Sequence, residues 1–120
     1  MDEVVKQALE RDRTIDITTT GRKTGQLRRT EIWFHNLDGE LYITGTPGAR
    51  DWYANMLTTP EMTFHLKESI QVDLPARATP VLDRIKRRNI LTRICQKLGR
   101  DESDLEARVA GSPLVQVELR

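Results

Sequence analysis

The 120-residue sequence predicts an α+β fold: a small antiparallel β-barrel of about six strands with flanking helices. Three observations carry that expectation. Short β-rich runs with alternating apolar residues recur at about 14–20, 28–36, 41–46, 62–66, 69–79 and 114–119. Tight turn signals separate the first three of them. The pattern switches to a helical period between Pro80 and Val109, just before the last strand. A chain of this length is about one domain with a core of its own, so a single domain over 1–120 is expected.

In chain order, residues 2–12 place Val4, Val5, Ala8 and Leu9 on one helical face, with Asp2 and Glu3 in the first turn where the helix dipole favours them. The runs at 14–20 and 28–36 form a hairpin, with Ile15 and Ile17 inward and Ile32 sharing a face with Phe34. Asp38-Gly39 is a strong hairpin signal and leads into Leu41, Tyr42 and Ile43, so the first three strands make a meander. Pro47-Gly48 breaks the third strand. Asp51 is the expected N-cap of a short helix from Trp52 to Leu57, ending before Pro60. In the fifth strand, Pro75 marks a bulge or an edge.

Pro80 suits the first turn of a long helix reaching Leu98, with Leu82, Ile85, Leu91, Ile94, Cys95 and Leu98 facing inward. Gly99 stops it. A second short helix runs from Asp101 to Val109, capped by Asp101 or Ser103. Leu114 to Leu119 is the strand that returns to close the sheet.

Composition bounds the function. The formal net charge is +1, so any anion site must be local. The lone Cys95 cannot form an internal disulfide and reads as packing. There is no secretory leader pattern and no run near the ~20 apolar residues of a membrane span, so a soluble cytoplasmic protein is expected. His35 and His65 fall in strand patterns without a neighbouring nucleophile and read as half-exposed strand residues. No metal site is expected, because no cysteine cluster accompanies them.

Three stretches offer chemistry. The first is the turn Gly21-Arg22-Lys23-Thr24-Gly25-Gln26 with Arg28 behind it, where glycines free the backbone and basic side chains and a hydroxyl surround it. It reads as a small phosphate nest or, equally, as a solvated basic hairpin tip. The second is Thr44-Gly45-Thr46 through Arg50, followed by Trp52 and Tyr53, a loop that lets a flat ligand approach backbone. Trp52 and Tyr53 alternatively pin the short helix to the barrel. The third is the basic run Arg84, Lys86, Arg87, Arg88, Arg93, Lys97 and Arg100, which reads first as a solvated face.

The motif from Thr18 to Gln26 followed by Arg28, then Asp38-Gly39, then Trp52, Tyr53, Asn55, Leu57 and Pro60, resembles the deazaflavin-dependent nitroreductase family. The resemblance covers about residues 14–79 and extends loosely to the last strand. It implies a split β-barrel like that of pyridoxamine-phosphate oxidases, binding coenzyme F420 and passing its hydride to a quinone, nitroaromatic or enone-like acceptor. It further implies that Arg22, Lys23, Thr24 and Arg28, in the motif that Gln26 closes, hold the coenzyme's phosphate and the start of its acidic tail. Thr44, Gly45 and Thr46 would lie along the ring edge, with Trp52 walling the acceptor pocket and Tyr53 or a water supplying a proton. One tail-binding lysine of the best-known members is missing here, with Arg50 the residue that would substitute. The segment from Lys86 to Val109 carries no tyrosine. Two rival readings keep the fold: FMN in place of F420, or a non-catalytic barrel for a small or lipid-like ligand. The near-zero net charge and few aromatics argue against nucleic acid. Split barrels of the wider superfamily often pair as homodimers, while nitroreductase-like members can be single.

Overall fold

The computed structural model describes all 120 residues. Its elements are α1 (Glu3–Arg11), β1 (Thr14–Thr20), β2 (Leu27–Trp33), β3 (His35–Leu37), β4 (Glu40–Thr44), α2 (Asp51–Thr58), β5 (Glu61–Leu66), β6 (Val72–Pro80), α3 (Arg84–Lys97), α4 (Leu105–Gly111) and β7 (Leu114–Leu119). The strands form one antiparallel sheet in the order β2-β1-β5-β6-β7-β4-β3. No helix is long and apolar enough to cross a membrane.

Closure follows from one residue. β2 and β3 lie at opposite ends of the sheet order, yet only Phe34 separates them along the chain. The expected second strand is thus two strands that bend at Phe34, the first pairing with β1 and the second with β4. Seven strands result where six were expected. The bend also opens a split. Extending the His35↔Tyr42 register by two residues would set Trp33 opposite Thr44, but there β2 has already turned to β1. β7 lies between β6 and β4, so Val115 and Val117 are interior rather than an exposed edge.

Alternation along the strands sorts side chains into two apolar cores. Inside the barrel, Ile15, Ile17, Ile43, Phe64 and Val115 are fully buried, with Ala8 of α1 and Met56 of α2 against them. Phe34 meets Phe64 edge-on at 5.2 Å. On the outer face, Leu37, Tyr42 and Leu114 pack under Ile90, Leu91 and Ile94 of α3 and Val109 of α4. β4 is therefore covered on both sides, which is why Leu41, Tyr42 and Ile43 run apolar without a polar break.

The helical region departs from its expected pattern. Pro80 ends β6 opposite Val115 instead of opening a helix, and α3 starts at Arg84 behind Asp83, whose carboxylate accepts from the Lys86 N–H at 2.9 Å. With the start shifted, Leu82 and Ile85 point to solvent, at 72% and 81% exposure. Arg87 turns inward in their place, 8% exposed. Its guanidinium donates to the carbonyls of Val81, Arg108, Val109 and Ser112 at 2.6–3.2 Å, tying the end of α4 to the start of α3. α4 itself begins after Asp104 rather than at Asp101, with no side-chain cap bond. The short helix starts at Asp51, with Arg50 in the cap position, again without a cap bond. Pro75 sits where β7 ends: its carbonyl accepts from the Arg120 N–H at 2.8 Å, so the missing amide falls at the edge of that ladder.

Candidate active site

The turn from β1 to β2 is built by its glycines. Gly25 has φ +72°, open to glycine and strained for most residues. Gly21 donates to the Gln26 carbonyl at 2.7 Å, and a Cβ at Gly21 would lie 3.0 Å from that oxygen and 3.2 Å from Thr24 Oγ1. The Gly25 and Gln26 amides are taken up within the turn, the latter by Thr24 Oγ1 at 3.2 Å. The amides of Lys23 and Thr24 have no protein partner.

α2 braces this turn through Asn55, which is 3% exposed. Its Oδ1 accepts from the Arg22 amide at 3.1 Å and the Arg22 guanidinium at 2.9 Å, and its Nδ2 donates to Thr19 Oγ1 at 3.4 Å. Arg22 also reaches Asp51 at 3.3 Å. Between turn and helix lies a polar cleft of about 510 Å³. Arg22, Lys23, Thr24, Arg28 and Trp52 all border it. Arg29 borders it too but is paired with Asp16 at 2.9 Å, and the Asp16 carboxyl is held below its ordinary value by Lys67 and then by Arg29. Lys23 and Arg28 make no ion pair and no side-chain hydrogen bond with the protein. Two free cations and two free amides thus face one recess, a donor set that suits a phosphate.

A second cleft opens where the barrel splits, between the outer face of β3–β4 and the helices α3 and α4. Its volume is about 240 Å³, and Thr44, Gly45 and Thr46 form its lip beside Trp33 and His35. Thr44 donates to the Pro113 carbonyl at 2.6 Å, and Arg50 folds back on Thr46 Oγ1 at 2.6 Å. His35 is 8% exposed, and its ring makes no hydrogen bond with the protein. Burial first, then the charges of Lys97, Arg100 and Arg13, pushes its imidazole down to about 4, so it is neutral at neutral pH. β2 links the two clefts: Arg28 borders the first and Trp33 the second, about 17 Å apart along a strand.

The expected site residues therefore fall in three places. Arg22, Lys23, Thr24, Arg28 and Trp52 converge on the polar cleft, and Thr44, Gly45 and Thr46 on the split. Arg50 and Tyr53 border a third recess with Leu82 and Gly111, on the other side of α2 from Asn55. Gln26 is exposed and closes the turn with its backbone. Trp52 belongs to the barrel core as well, with Tyr53 edge-on to it at 6.0 Å. Both histidines are buried, contrary to their half-exposed reading. His65 bonds Thr18 Oγ1 and Asp73 Oδ1, each at 2.7 Å. Asn55, Trp33 and His35 were not read as site residues; only Asn55 had a signal, as a member of the Trp52-to-Pro60 motif.

Residues 2–104 match the model of the F420H(2)-dependent quinone reductase family. The chain belongs to that family. It is thus an oxidoreductase that uses F420. Solved structures share the fold. A conserved hypothetical protein from Mycobacterium tuberculosis superposes with a TM-score of 0.78 at 17% identity, over 100% of this chain and 81% of that one. A protein described as an F420 reductase gives 0.72 at 18%, over 96% and 92%. A putative pyridoxamine 5'-phosphate oxidase from Listeria innocua gives 0.71 at 10%, over 98% and 92%. The expected split barrel of the pyridoxamine-phosphate-oxidase type is the observed fold.

Proposed function

We propose that this family member reduces a quinone, with the F420 phosphate held in the polar cleft by Lys23, Arg28, the Arg22 guanidinium and the Lys23 and Thr24 amides. The observation that carries the reading is the pair of unpartnered cations beside unpartnered amides on a turn that Asn55 holds rigid. Arg22, already engaged by Asn55 and Asp51, positions the turn as much as it supplies charge. When bound, F420 supplies the hydride. The ring edge is assigned to Thr44, Gly45 and Thr46 at the split, reached from the polar cleft along β2. The protein's contribution is placement and exclusion of water: Trp52 closes one side of the polar cleft, and the α3–α4 helices cover the other cleft.

Arg50 is assigned no tail contact, because its guanidinium is engaged by Thr46 and the Ala49 carbonyl. Tyr53 is not proposed as proton donor, since it borders a recess apart from the split. Water is the proton source in this reading. The test is turnover: protein with reduced F420 and a soluble 1,4-naphthoquinone should restore the oxidised coenzyme's absorbance in proportion to quinone consumed. Tight F420 binding with no turnover across quinones, nitroaromatics and enones would favour the non-catalytic reading.

A further inference from the structure

The cleft at the split contains a ring that neither the fold nor the phosphate site uses. His35 is buried on β3, its ring makes no hydrogen bond with the protein, and it borders a recess lined by Trp33, Leu91, Ile94, Leu98 and Leu105, with Arg100, Asp104 and Arg108 also on its border. Its ring nitrogens are not sealed from solvent, and the residue borders the recess, so a molecule entering there can reach them. His65 sits on the same sheet at similar burial with both ring nitrogens bonded, so the lack at His35 is particular to its place. At about 240 Å³ the recess is below the ~300–1,000 Å³ of most ligand sites, so it takes one small ring system rather than a whole coenzyme. Trp33, 42% exposed, has the Arg13 guanidinium 5.0 Å over one ring face and leaves its other face as a flat wall, and the leucines and Ile94 offer an apolar one.

We propose that His35 is the acceptor-binding residue of this cleft, donating its imidazole N–H to a carbonyl oxygen of a small, flat quinone stacked on Trp33. This rests on the quinone-reductase reading above and adds the site and the contact. The imidazole stays neutral throughout, as its surroundings favour, and acts as a hydrogen-bond donor rather than a proton source. The balance is complete without it: the quinone gains two electrons and one hydrogen as hydride and one proton from water, giving the hydroquinone. A hydrogen bond to the oxygen where negative charge builds favours hydride arrival at the ring.

Because the chain has two histidines, ¹⁵N-labelled imidazole spectra resolve both, with His65 as internal reference. Titrating menadione into coenzyme-free protein should shift the His35 ring signals and leave those of His65 in place. No shift at His35, or equal shifts at both, would overturn the proposal whether or not F420 binds. Kinetics give the second arm. His35→Phe should lower kcat/KM for menadione roughly ten-fold with F420 affinity unchanged, and His35→Gln, which keeps an N–H donor, should recover part of it. Wild-type turnover in His35→Phe would sink the contact. Failure of F420 to bind the wild type would instead sink the coenzyme reading, with the menadione titration still deciding the cleft.

Discussion

Two sets of polar groups in this molecule differ in one respect. Two buried polar side chains, His65 on β5 and Arg87 on α3, are closed circuits: His65 spans Thr18 and Asp73, and Arg87 meets four carbonyls. Near the two ends of β2 other groups are left open: the exposed Lys23 and Arg28 at one end, the buried His35 ring at the other. Closed groups hold the fold, because removing one strands its partners. Open groups hold nothing together and are free to meet something that arrives from outside. At neutral pH their removal should affect binding and spare stability.

The largest expected effect is on the closed side. Arg87→Met leaves four buried carbonyls without their donor, and should cost about 3 kcal/mol or more of unfolding free energy by urea titration. An unchanged midpoint would mean that the α3–α4 junction is not closed as described.

His35 gives a comparable effect that depends on pH. The unfolded chain takes up this proton near 6.5 and the folded protein only near about 4. The unfolded state therefore binds more protons between those values, so stability is complete above 6.5 and falls as the pH drops toward 4, by roughly 3 kcal/mol from this group. In His35→Gln that part of the loss should disappear. A His65→Gln protein showing the same flattening, with wild-type-like behaviour in His35→Gln, would assign the titration to the wrong ring.

On the open side, Lys23→Ala with Arg28→Ala should weaken F420 binding roughly 100-fold, about one charge-assisted contact's worth for each residue, with the thermal midpoint unchanged. The smallest effect is expected for His65→Leu. It should cost about 1 kcal/mol of stability through the Thr18 and Asp73 bonds and leave F420 affinity alone, since neither partner borders the polar cleft.

The sequence carried much of this organisation, and its failures have physical causes. Alternation placed Ile15 and Ile17 correctly, since β1 has one face on the barrel core. The bend at Phe34 could not be read, because nothing local distinguishes one nine-residue strand from two that change partners. Counting a helical period from Pro80 put Leu82 and Ile85 inside; the helix starts at Arg84, and the inward position goes to Arg87. An arginine there looks like surface until Val81 and residues 108–112 are brought together around it. The basic turn was legible from its glycines and charges. His35 was not, because its isolation is a property of three elements meeting, not of the strand that carries it.

The central claim is that a phosphate, held by Lys23 and Arg28, anchors the coenzyme. The most direct test compares binding of oxidised F420 with that of the same deazaflavin riboside lacking the phosphate and tail, in wild type and in the Lys23→Ala/Arg28→Ala double variant. The account predicts that wild type prefers F420 by roughly 100-fold and that the double variant loses most of that preference while binding the riboside as before. Equal binding of the two ligands by wild type, or an undiminished preference in the double variant, would contradict it and leave the open charges of the turn to another anion.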